Sequence, residues 1–165
     1  MGIGKPERLD QNHDLTGFTS GYEDLDVWLH KQAPKNQKRN KARVYVVIDS
    51  DIGRVVGYYA IAMGSVQRND AINPLKRNSP NPIPMVVLGR LAVQTEYQGL
   101  GIGAGLLKDC VLRSVDAMNS IGGAGILVHA IDDSARSFYT KFGFTESPFD
   151  SLTLMARICD IEATL

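Results

Sequence analysis

The segment YQGLGIGAGLL, Tyr97 to Leu107, decides how this chain of 165 residues is interpreted. Glycine occupies positions 99, 101, 103 and 105, and an apolar run follows at once. The preceding stretch Met85–Val93 is rich in β-branched residues and predicts a strand, and a helix is predicted by the spacing of Leu106, Leu107, Cys110, Val111 and Val115. Glycines allow tight backbone curvature, and the amides at a helix N-terminus point at one anion. The segment therefore predicts a phosphate-binding loop.

A glycine-rich connection without a ligand is the alternative, but each glycine inside a helix costs roughly 1 kcal/mol against alanine. Spacing also excludes two common phosphate loops. The pattern G-x-G-x-x-G started at Gly99 ends on Ala104, and started at Gly101 it ends on Leu106, so the dinucleotide fingerprint fails. A G-K-[ST] sequence is absent, so a P-loop is excluded. The pattern that fits is Gln98-x-x-Gly101-x-Gly103.

The rest of the chain predicts one α/β domain over residues 1–165. The segment Ser20–Glu23 has the spacing of a capping box, and an amphipathic helix is predicted to run from there to about Pro34, followed by a second short helix. Strands are predicted at Arg43–Ile48 and Val55–Val66 as an antiparallel hairpin, and later at 125–131 and 152–158, with a helix at 133–142 before Gly143. This order predicts a mixed, mostly antiparallel central sheet flanked by helices.

Composition limits the classes of protein. The chain is 44% hydrophobic, which suffices for a core, and it contains no apolar run near the roughly 18 residues of a membrane span and no apolar signal segment. We therefore expect a cytoplasmic protein. Cys110 and Cys159 are far apart and have no partner at metal-ligand spacing, so we expect two reduced core cysteines and no metal site.

Positive charge is unevenly distributed although the formal net charge is zero. Six of the 18 lysines and arginines lie between His30 and Tyr45, where the chain has no acidic residue: Lys31, Lys35, Lys38, Arg39, Lys41 and Arg43. Such a block is either a solvated face or a surface that binds the phosphates of a nucleic acid.

With its preceding LGRLAV and the later SFYTKFGF, the glycine motif resembles that of the GCN5-related N-acetyltransferases, the GNAT family. Over nearly the whole chain the sequence is similar to the acetyltransferase toxins of bacterial toxin–antitoxin pairs. The resemblance implies the GNAT fold, a cytoplasmic enzyme and acetyl-CoA as co-substrate without a metal. It also implies a pyrophosphate bound by Gln98, Gly99, Leu100, Gly101, Ile102, Gly103 and Ala104, and a pantetheine arm bound along the strand edge at Leu91, Ala92 and Val93.

The same resemblance implies an aminoacyl-tRNA substrate, acetylation of its amino acid, a ribbon-helix-helix antitoxin and a homodimer. The tRNA would contact Lys35, Lys38, Arg39, Lys41 and Arg43, together with Lys76 and Arg77 from the proline-rich connection.

The chemistry also points to particular residues. An α-amino group has a pKa of about 7.7 to 8.0, so part of it is neutral near pH 7 and a strong general base is dispensable. The departing thiolate needs a proton, and Tyr139 is predicted as the general acid, where the family places it. Its alternative role is aromatic packing, the role expected for Phe138 and Phe142. His129 is predicted as a core or near-core histidine, with a catalytic base as the less favoured role.

Three classes of function stay open at this point. The first is the tRNA-directed acetyltransferase toxin, and the second is an N-acetyltransferase of a small amine or protein N-terminus, in which the basic block is solvated surface. The third is a non-catalytic module that binds acetyl-CoA, against which Tyr139 argues.

Overall fold

The computed structural model describes residues 2–163. Contacts within the chain define two compact units: the first runs up to Ala62 and includes Gly89–Cys110, and the second comprises Met63–Leu88 and the chain from Val111 onward. The seven strands of the sheet follow the order β1-β2-β3-β4-β5-β7-β6. Their bounds are β1 Glu7–Arg8, β2 Arg43–Asp49, β3 Arg54–Val66, β4 Ile83–Val93, β5 Gly125–His129, β6 Thr145–Ser147 and β7 Asp150–Arg157. The helices are α1 Glu23–Val27, α2 Ala33–Lys38, α3 Asn73–Lys76, α4 Ile102–Ile121, α5 Asp133–Lys141 and α6 Ile158–Glu162.

The predicted fold class is confirmed. Strands β2 and β3 pair antiparallel, and Tyr45 lies opposite Tyr59, as the hairpin prediction requires. Strand β4 pairs parallel with β5, where Met85 lies opposite Gly125, and β5 pairs antiparallel with β7. The sheet is therefore mixed and mostly antiparallel in its described pairings. The prediction of one domain over residues 1–165 stays a prediction.

Helical structure in the first unit continues through three consecutive segments. Between α1 and α2 lies a π-helical turn, Trp28–Gln32, and Pro34 occupies the first turn of α2, where its missing N–H costs nothing. Leu25, Leu29 and Ala33 recur at a spacing of four and are all buried in one apolar cluster of this unit. The predicted second short helix is confirmed.

The predicted capping box at Ser20–Glu23 is wrong. Tyr22 is the N-cap residue of α1 and makes no side-chain cap. Ser20 Oγ instead donates to Asp26 Oδ1 at 2.7 Å and accepts from the Tyr22 N–H at 3.2 Å. Asp26 is the acidic residue that holds Ser20, because it also accepts from the Ser20 N–H at 2.9 Å.

Aromatic stacking fixes the π-helical turn against β3. The Trp28 ring stacks on Tyr58 at 6.0 Å between centroids, and the Tyr58 hydroxyl donates to Leu25 O at 2.7 Å. Burial is the main cause that raises the pKa of Tyr58 well above its usual range, so the phenol stays neutral. Arg90 of β4 places its guanidinium 4.4 Å from the centroid of Trp28.

Helix α4 supplies the long apolar face that the sequence predicts. Leu106, Leu107, Cys110 and Val111 are at most 1% exposed. The helix ends at Gly122, whose φ of 93° is a left-handed conformation and whose N–H donates to Met118 O at 2.8 Å.

Burial was predicted correctly for one of the two cysteines and wrongly for the other. Cys110 is buried, as predicted, but Cys159 is exposed, because residue 158 begins α6 instead of continuing the last strand. Within residues 2–163 no helix is long and apolar enough to cross a membrane.

Candidate functional site

The glycine segment forms a turn with open space above it. After β4 ends at Val93, Gly99 and Gly101 adopt φ values of 79° and 86°, which glycine tolerates and other residues rarely adopt. Apart from the glycine itself and its two neighbours in the chain, no heavy atom of residues 2–163 lies within 4 Å of the position that a Cβ would take at either glycine. A ligand can therefore approach this backbone closely.

Helix α4 begins directly after the turn. Its first hydrogen bond runs from the Gly105 N–H to Gly101 O at 3.0 Å, so the amides of Ile102, Gly103 and Ala104 precede the intrahelical ladder. These amides and the positive end of a helix of 20 residues form an arrangement that can bind an anion. The pyrophosphate contact at this turn stays a prediction. Gly103 lies in the helix, so the backbone argument applies to Gly99 and Gly101.

Gln98 holds the turn through its side chain. Its Nε2 donates to Val93 O at the end of β4 and to Ser20 O, both at 2.9 Å. Both amide hydrogens of the side chain therefore serve as a brace between the strand, the turn and the segment before α1. The Gln98 side chain is a positioning group, and its backbone N–H donates to Thr95 O at 3.3 Å. The ligand contact predicted for Gln98 stays a prediction.

The segment Gly17–Ser20 supports the same turn from a distance in sequence. Thr95 donates to Thr19 O through both its N–H and its Oγ1, each at 2.8 Å. Gln94 Oε1 accepts from the Thr19 N–H at 2.8 Å. These bonds span about 75 positions of sequence, and no local pattern predicted them.

Tyr97 ties the turn to β2. Its hydroxyl donates to Asp49 Oδ2 at 2.5 Å, and Asp49 also accepts from the N–H groups of Gly2 and Asp51. The hydrogen bond with Asp49 is the main cause that raises the pKa of Tyr97 to about 12, and the same bond is the main cause that lowers the pKa of Asp49. The ionised carboxylate and neutral phenol are thus the stable pair at neutral pH.

Tyr97→Phe is expected to lower stability in a pH-dependent manner. A carboxyl whose folded-state pKa is depressed stabilises the fold above its unfolded pKa, near 3.9, and loses that contribution as the pH falls toward the folded value. The difference between wild type and variant in urea midpoint should therefore be largest above about pH 5 and shrink below pH 4. Urea unfolding followed by circular dichroism across this range measures it, and a difference that is constant with pH would contradict the role of Asp49.

A cavity of about 500 Å³ adjoins the glycine turn. Its walls come from the turn, from the start of α4, from β2 and from the N-terminal segment: Ile3, Gly4, Pro6, Val47, Leu100, Gly101, Ile102, Gly105 and Leu106. The N-terminal residues of this wall were missed from the sequence, since they carry no motif.

The predicted strand edge lies at the end of β4. The register with β5 covers Met85–Leu88, and β4 continues beyond it through Leu91, Ala92 and Val93. Ala92 and Val93 are buried, and Val93 O already accepts from Gln98. A pantetheine contact at this edge stays a prediction.

Tyr139 is held rigidly on α5. Its ring packs edge-to-face against Phe138 at 5.3 Å and Phe144 at 5.8 Å between centroids, and the side chain is 5% exposed. Phe138 also packs against Phe142 at 5.1 Å, which confirms packing for these two rings. These contacts fix the position of the ring, and the role of Tyr139 as general acid stays a prediction.

The start of α5 is capped by an aspartate side chain. Asp132 is the N-cap residue, and its Oδ1 accepts from the Ala135 N–H at 2.9 Å. Asp133 lies in the first turn and is 3.6 Å from Arg136.

His129 differs from expectation, because it is exposed although the rest of β5 is buried. It is the last residue of β5 and lies opposite Thr153 of β7. The prediction of a core or near-core histidine is therefore wrong.

The basic residues divide between the two units. Lys35, Lys38, Arg39 and Lys41 are exposed at α2 and the turn after it, whereas Lys76 and Arg77 lie at the end of α3 in the second unit. Lys35 and Arg39 are four residues apart, so they share one face of the helix end. Arg43 is half-buried and donates from Nη1 to Gln37 O at 3.2 Å, so it stabilises the end of α2. Among residues 2–163, no group of His, Cys, Asp and Glu is placed to hold a metal ion.

Comparison with known proteins agrees with this geometry. Residues 40–146 match the acetyltransferase (GNAT) domain, and the chain belongs to this family of acetyl-CoA-dependent acetyltransferases. It is 44% identical to a tRNA-acetylating toxin of Mycobacterium tuberculosis (strain ATCC 25618 / H37Rv), over 99% of this chain and 98% of the relative. The resemblance predicted from the sequence is confirmed.

Two solved structures share the fold and 26% sequence identity. The toxin AtaT complexed with acetyl-methionyl-tRNAfMet superposes with a TM-score of 0.88 and 98% coverage of both chains. A tyrosine-to-phenylalanine mutant of AtaT bound to acetyl-CoA and the C-terminus of the antitoxin AtaR gives a TM-score of 0.83, with 99% of this chain and 98% of that chain covered.

Proposed function

We propose that this protein is the toxin of a toxin–antitoxin pair and blocks translation by transferring acetyl from acetyl-CoA to the α-amino group of the amino acid on a charged tRNA. The observation that carries the proposal is the near-complete coverage at 44% identity of a relative named tRNA-acetylating toxin. The glycine turn before α4 supports it, since the turn fits the pyrophosphate of the acetyl donor. We further propose that residues 1–165 act as one domain.

The acetyl donor supplies a thioester when it is bound. Backbone amides from Gln98 to Ala104 bind its pyrophosphate, and the edge of β4 at Leu91–Val93 binds its pantetheine amides. Gln98 and Tyr97 hold the turn in place beforehand through their bonds to Val93, Ser20 and Asp49, so little ordering is left for the moment of binding.

Tyr139 acts as the general acid. The neutral amine forms a new bond to the thioester carbonyl carbon, the carbon–sulfur bond breaks, and the phenol gives its proton to the departing sulfur. The nitrogen loses one proton as the amide forms, and this proton restores the phenol through water. The aromatic contacts of Tyr139 with Phe138 and Phe144 fix the position of that proton donor.

The exposed basic residues bind the tRNA backbone. Lys35, Lys38, Arg39 and Lys41 lie together at the end of α2. Half-buried Lys76 and exposed Arg77, at the end of α3 in the second unit, are the other basic residues that this proposal assigns to the tRNA. Arg43 contributes chiefly by fixing α2 through Gln37.

Reversing Lys38 and Arg39 to glutamate is expected to reduce acetylation of charged tRNA at least tenfold and to flatten its salt dependence, because each lost phosphate contact removes released counterions. Acetylation of a small free amine should stay unchanged. Initial rates on both substrates across a salt series measure the effect.

The matched control replaces Arg54 and Arg157 by glutamate. Both arginines are also exposed, and the double substitution changes the net charge by the same amount. Their surface ion pairs contribute little to stability, so this variant should keep its activity on tRNA. Equal loss on tRNA and on the free amine, or no loss on tRNA, would favour a small-amine acetyltransferase.

The partners follow from the same proposal. A ribbon-helix-helix antitoxin neutralises the protein, the compartment is the cytoplasm where charged tRNA is found, and a two-fold homodimer widens the surface for a long substrate. Light scattering on the purified protein tests the dimer, and co-expression with the protein of a neighbouring short gene tests the antitoxin.

A further inference from the structure

A second cavity lies entirely within the second unit and has a volume of about 410 Å³. It is lined by the end of β3, by β4, β5 and β7, and by the turn between β6 and β7: Ser65, Val66, Gln67, Asp70, Val87, Leu127, His129, Ser147, Phe149, Asp150 and Thr153. Strand alternation places Leu127 and His129 on one face of β5, and the strand register places Val87 beside Leu127 and Thr153 beside His129. The cavity therefore has an apolar floor that leads to a polar end.

The polar end is a hydrogen-bonded chain of three side chains. Thr153 Oγ1 donates to Asp150 Oδ2 at 2.8 Å, and His129 Nδ1 lies 3.3 Å from the same Oγ1. A hydroxyl has one proton, and Thr153 gives it to Asp150, so Oγ1 is left to accept from Nδ1–H of His129. The hydrogen-bond network thus assigns the tautomer of neutral His129 in which Nε2 carries the free lone pair.

Asp150 is held ionised at the far end of this chain. The N–H of Leu152 donates to its Oδ1 at 3.0 Å and is the main cause that lowers the pKa of Asp150, followed by the hydrogen bond from Thr153. Among the described residues that line the cavity, the titratable side chains are His129 and the two carboxylates of Asp70 and Asp150. The cavity therefore favours a cation, and Val66, Val87, Leu127 and Phe149 provide a hydrocarbon surface.

An aminoacyl group combines a positive charge with a short side chain, so it matches both the acidic end and the apolar floor of this cavity. Its α-ammonium is positive below a pKa of about 7.7 to 8.0, and its side chain is often apolar. Small inorganic cations would not use the apolar floor, and a nucleotide phosphate would be repelled by the two carboxylates.

We propose that this cavity holds the aminoacyl group of the acceptor, and that Nε2 of His129 receives a proton from its α-ammonium. This inference rests on the proposed function. The ammonium loses one proton to His129, and the freed nitrogen lone pair forms the bond to the thioester carbonyl carbon. The carbon–sulfur bond breaks and Tyr139 protonates the sulfur, while the nitrogen gives up its second proton, which returns through water to the Tyr139 phenolate. His129 afterwards releases its proton to water, while Asp150 and Thr153 keep the ring oriented.

His129→Gln separates this role from a structural one by its pH profile. Glutamine keeps a polar side chain at the edge of β5 but cannot take the proton. At pH 7 kcat/KM on charged tRNA should fall about tenfold to a hundredfold, at the low end of general-base factors because the α-amine is already partly neutral. At pH 9, where the free amine dominates, the variant should recover to within about threefold of wild type.

Two further variants test the chain and the cavity. Thr153→Val removes the oxygen that fixes the tautomer of His129. Its kcat/KM on charged tRNA should therefore fall less at pH 7 than that of His129→Gln, and it should recover in the same way at pH 9. Phe149 is 76% exposed, so Phe149→Ala should fold, and it should raise KM for tRNA charged with a large apolar amino acid more than for glycyl-tRNA.

The outcomes distinguish the inference from the function on which it rests. Wild-type protein that fails to acetylate any charged tRNA would overturn the proposed function itself. Two results with an active wild type would overturn the role of His129 alone. One is a loss of kcat/KM in His129→Gln that is equal at pH 7 and pH 9, and the other is no loss at either pH. An equal KM effect of Phe149→Ala on both tRNAs would overturn the assignment of the cavity.

Discussion

Replacing Tyr139 by phenylalanine is expected to lower turnover by roughly 10²- to 10⁴-fold, the range of a positioned acid–base group, with acetyl-CoA affinity retained. The substitution removes one oxygen and keeps the ring that packs against Phe138 and Phe144, so the fold should survive. Release of the coenzyme thiol with charged tRNA as acceptor measures turnover, and calorimetry measures affinity. In cells the variant should lose toxicity.

Tyr59→Phe is the matched control, because it also removes a single phenol oxygen from a buried ring. The Tyr59 hydroxyl donates to Asp109 Oδ2 at 2.6 Å in the first unit, so its loss should lower thermal stability and leave turnover near wild type. Turnover of Tyr139→Phe within a fewfold of wild type would assign Tyr139 to packing, the alternative that its aromatic neighbours also permit.

Gly101→Val is expected to weaken acetyl-CoA binding at least a hundredfold. At a φ of 86° a β-branched residue is strongly disfavoured, so the turn must move and its amides no longer converge on one anion. Losing two hydrogen bonds to a charged group, each of about 1.5–3 kcal/mol, corresponds to that factor or more. Calorimetric titration with acetyl-CoA measures the change.

Gly122→Val controls for backbone strain in this experiment. Gly122 has a φ of 93° directly after the other end of the same helix. Beyond its two neighbours in the chain, no heavy atom of the described residues lies within 4 Å of its Cβ position. This variant should lose stability and keep its affinity for acetyl-CoA. A folded Gly101→Val protein with unchanged affinity would contradict the assignment of the glycine turn to the pyrophosphate.

Short-range sequence patterns were sufficient to predict most helices and strands and the glycine turn of the candidate site. The glycine turn, α4 and α5 each depend on residues a few positions apart, since backbone freedom at glycine, helical periodicity and the Asp132 cap act locally. The hairpin β2–β3 follows from two β-branched runs and the short turn between them. These features were therefore predicted close to their observed bounds.

The capping prediction at Ser20 failed because a competing partner was not visible in the local pattern. Asp26 lies six residues away and takes the Ser20 hydroxyl, a choice that depends on how the segment before α1 packs. Cys159 was misplaced for a related reason, since the change from β7 to α6 at residue 158 depends on tertiary context more than on residue preference.

By itself the sequence determined the glycine turn before α4, the mixed sheet and the position of Tyr139 on its helix, because these depend on local conformational preference and periodicity. Only the tertiary structure decided that Gln98 braces the turn against Ser20, that Tyr97 binds Asp49 of another strand, and that His129 faces a cavity with Thr153 and Asp150. Those contacts join residues 24 to 78 positions apart, and hydrogen bonding between distant side chains is set by strand register and packing, which leave no periodic trace in the sequence.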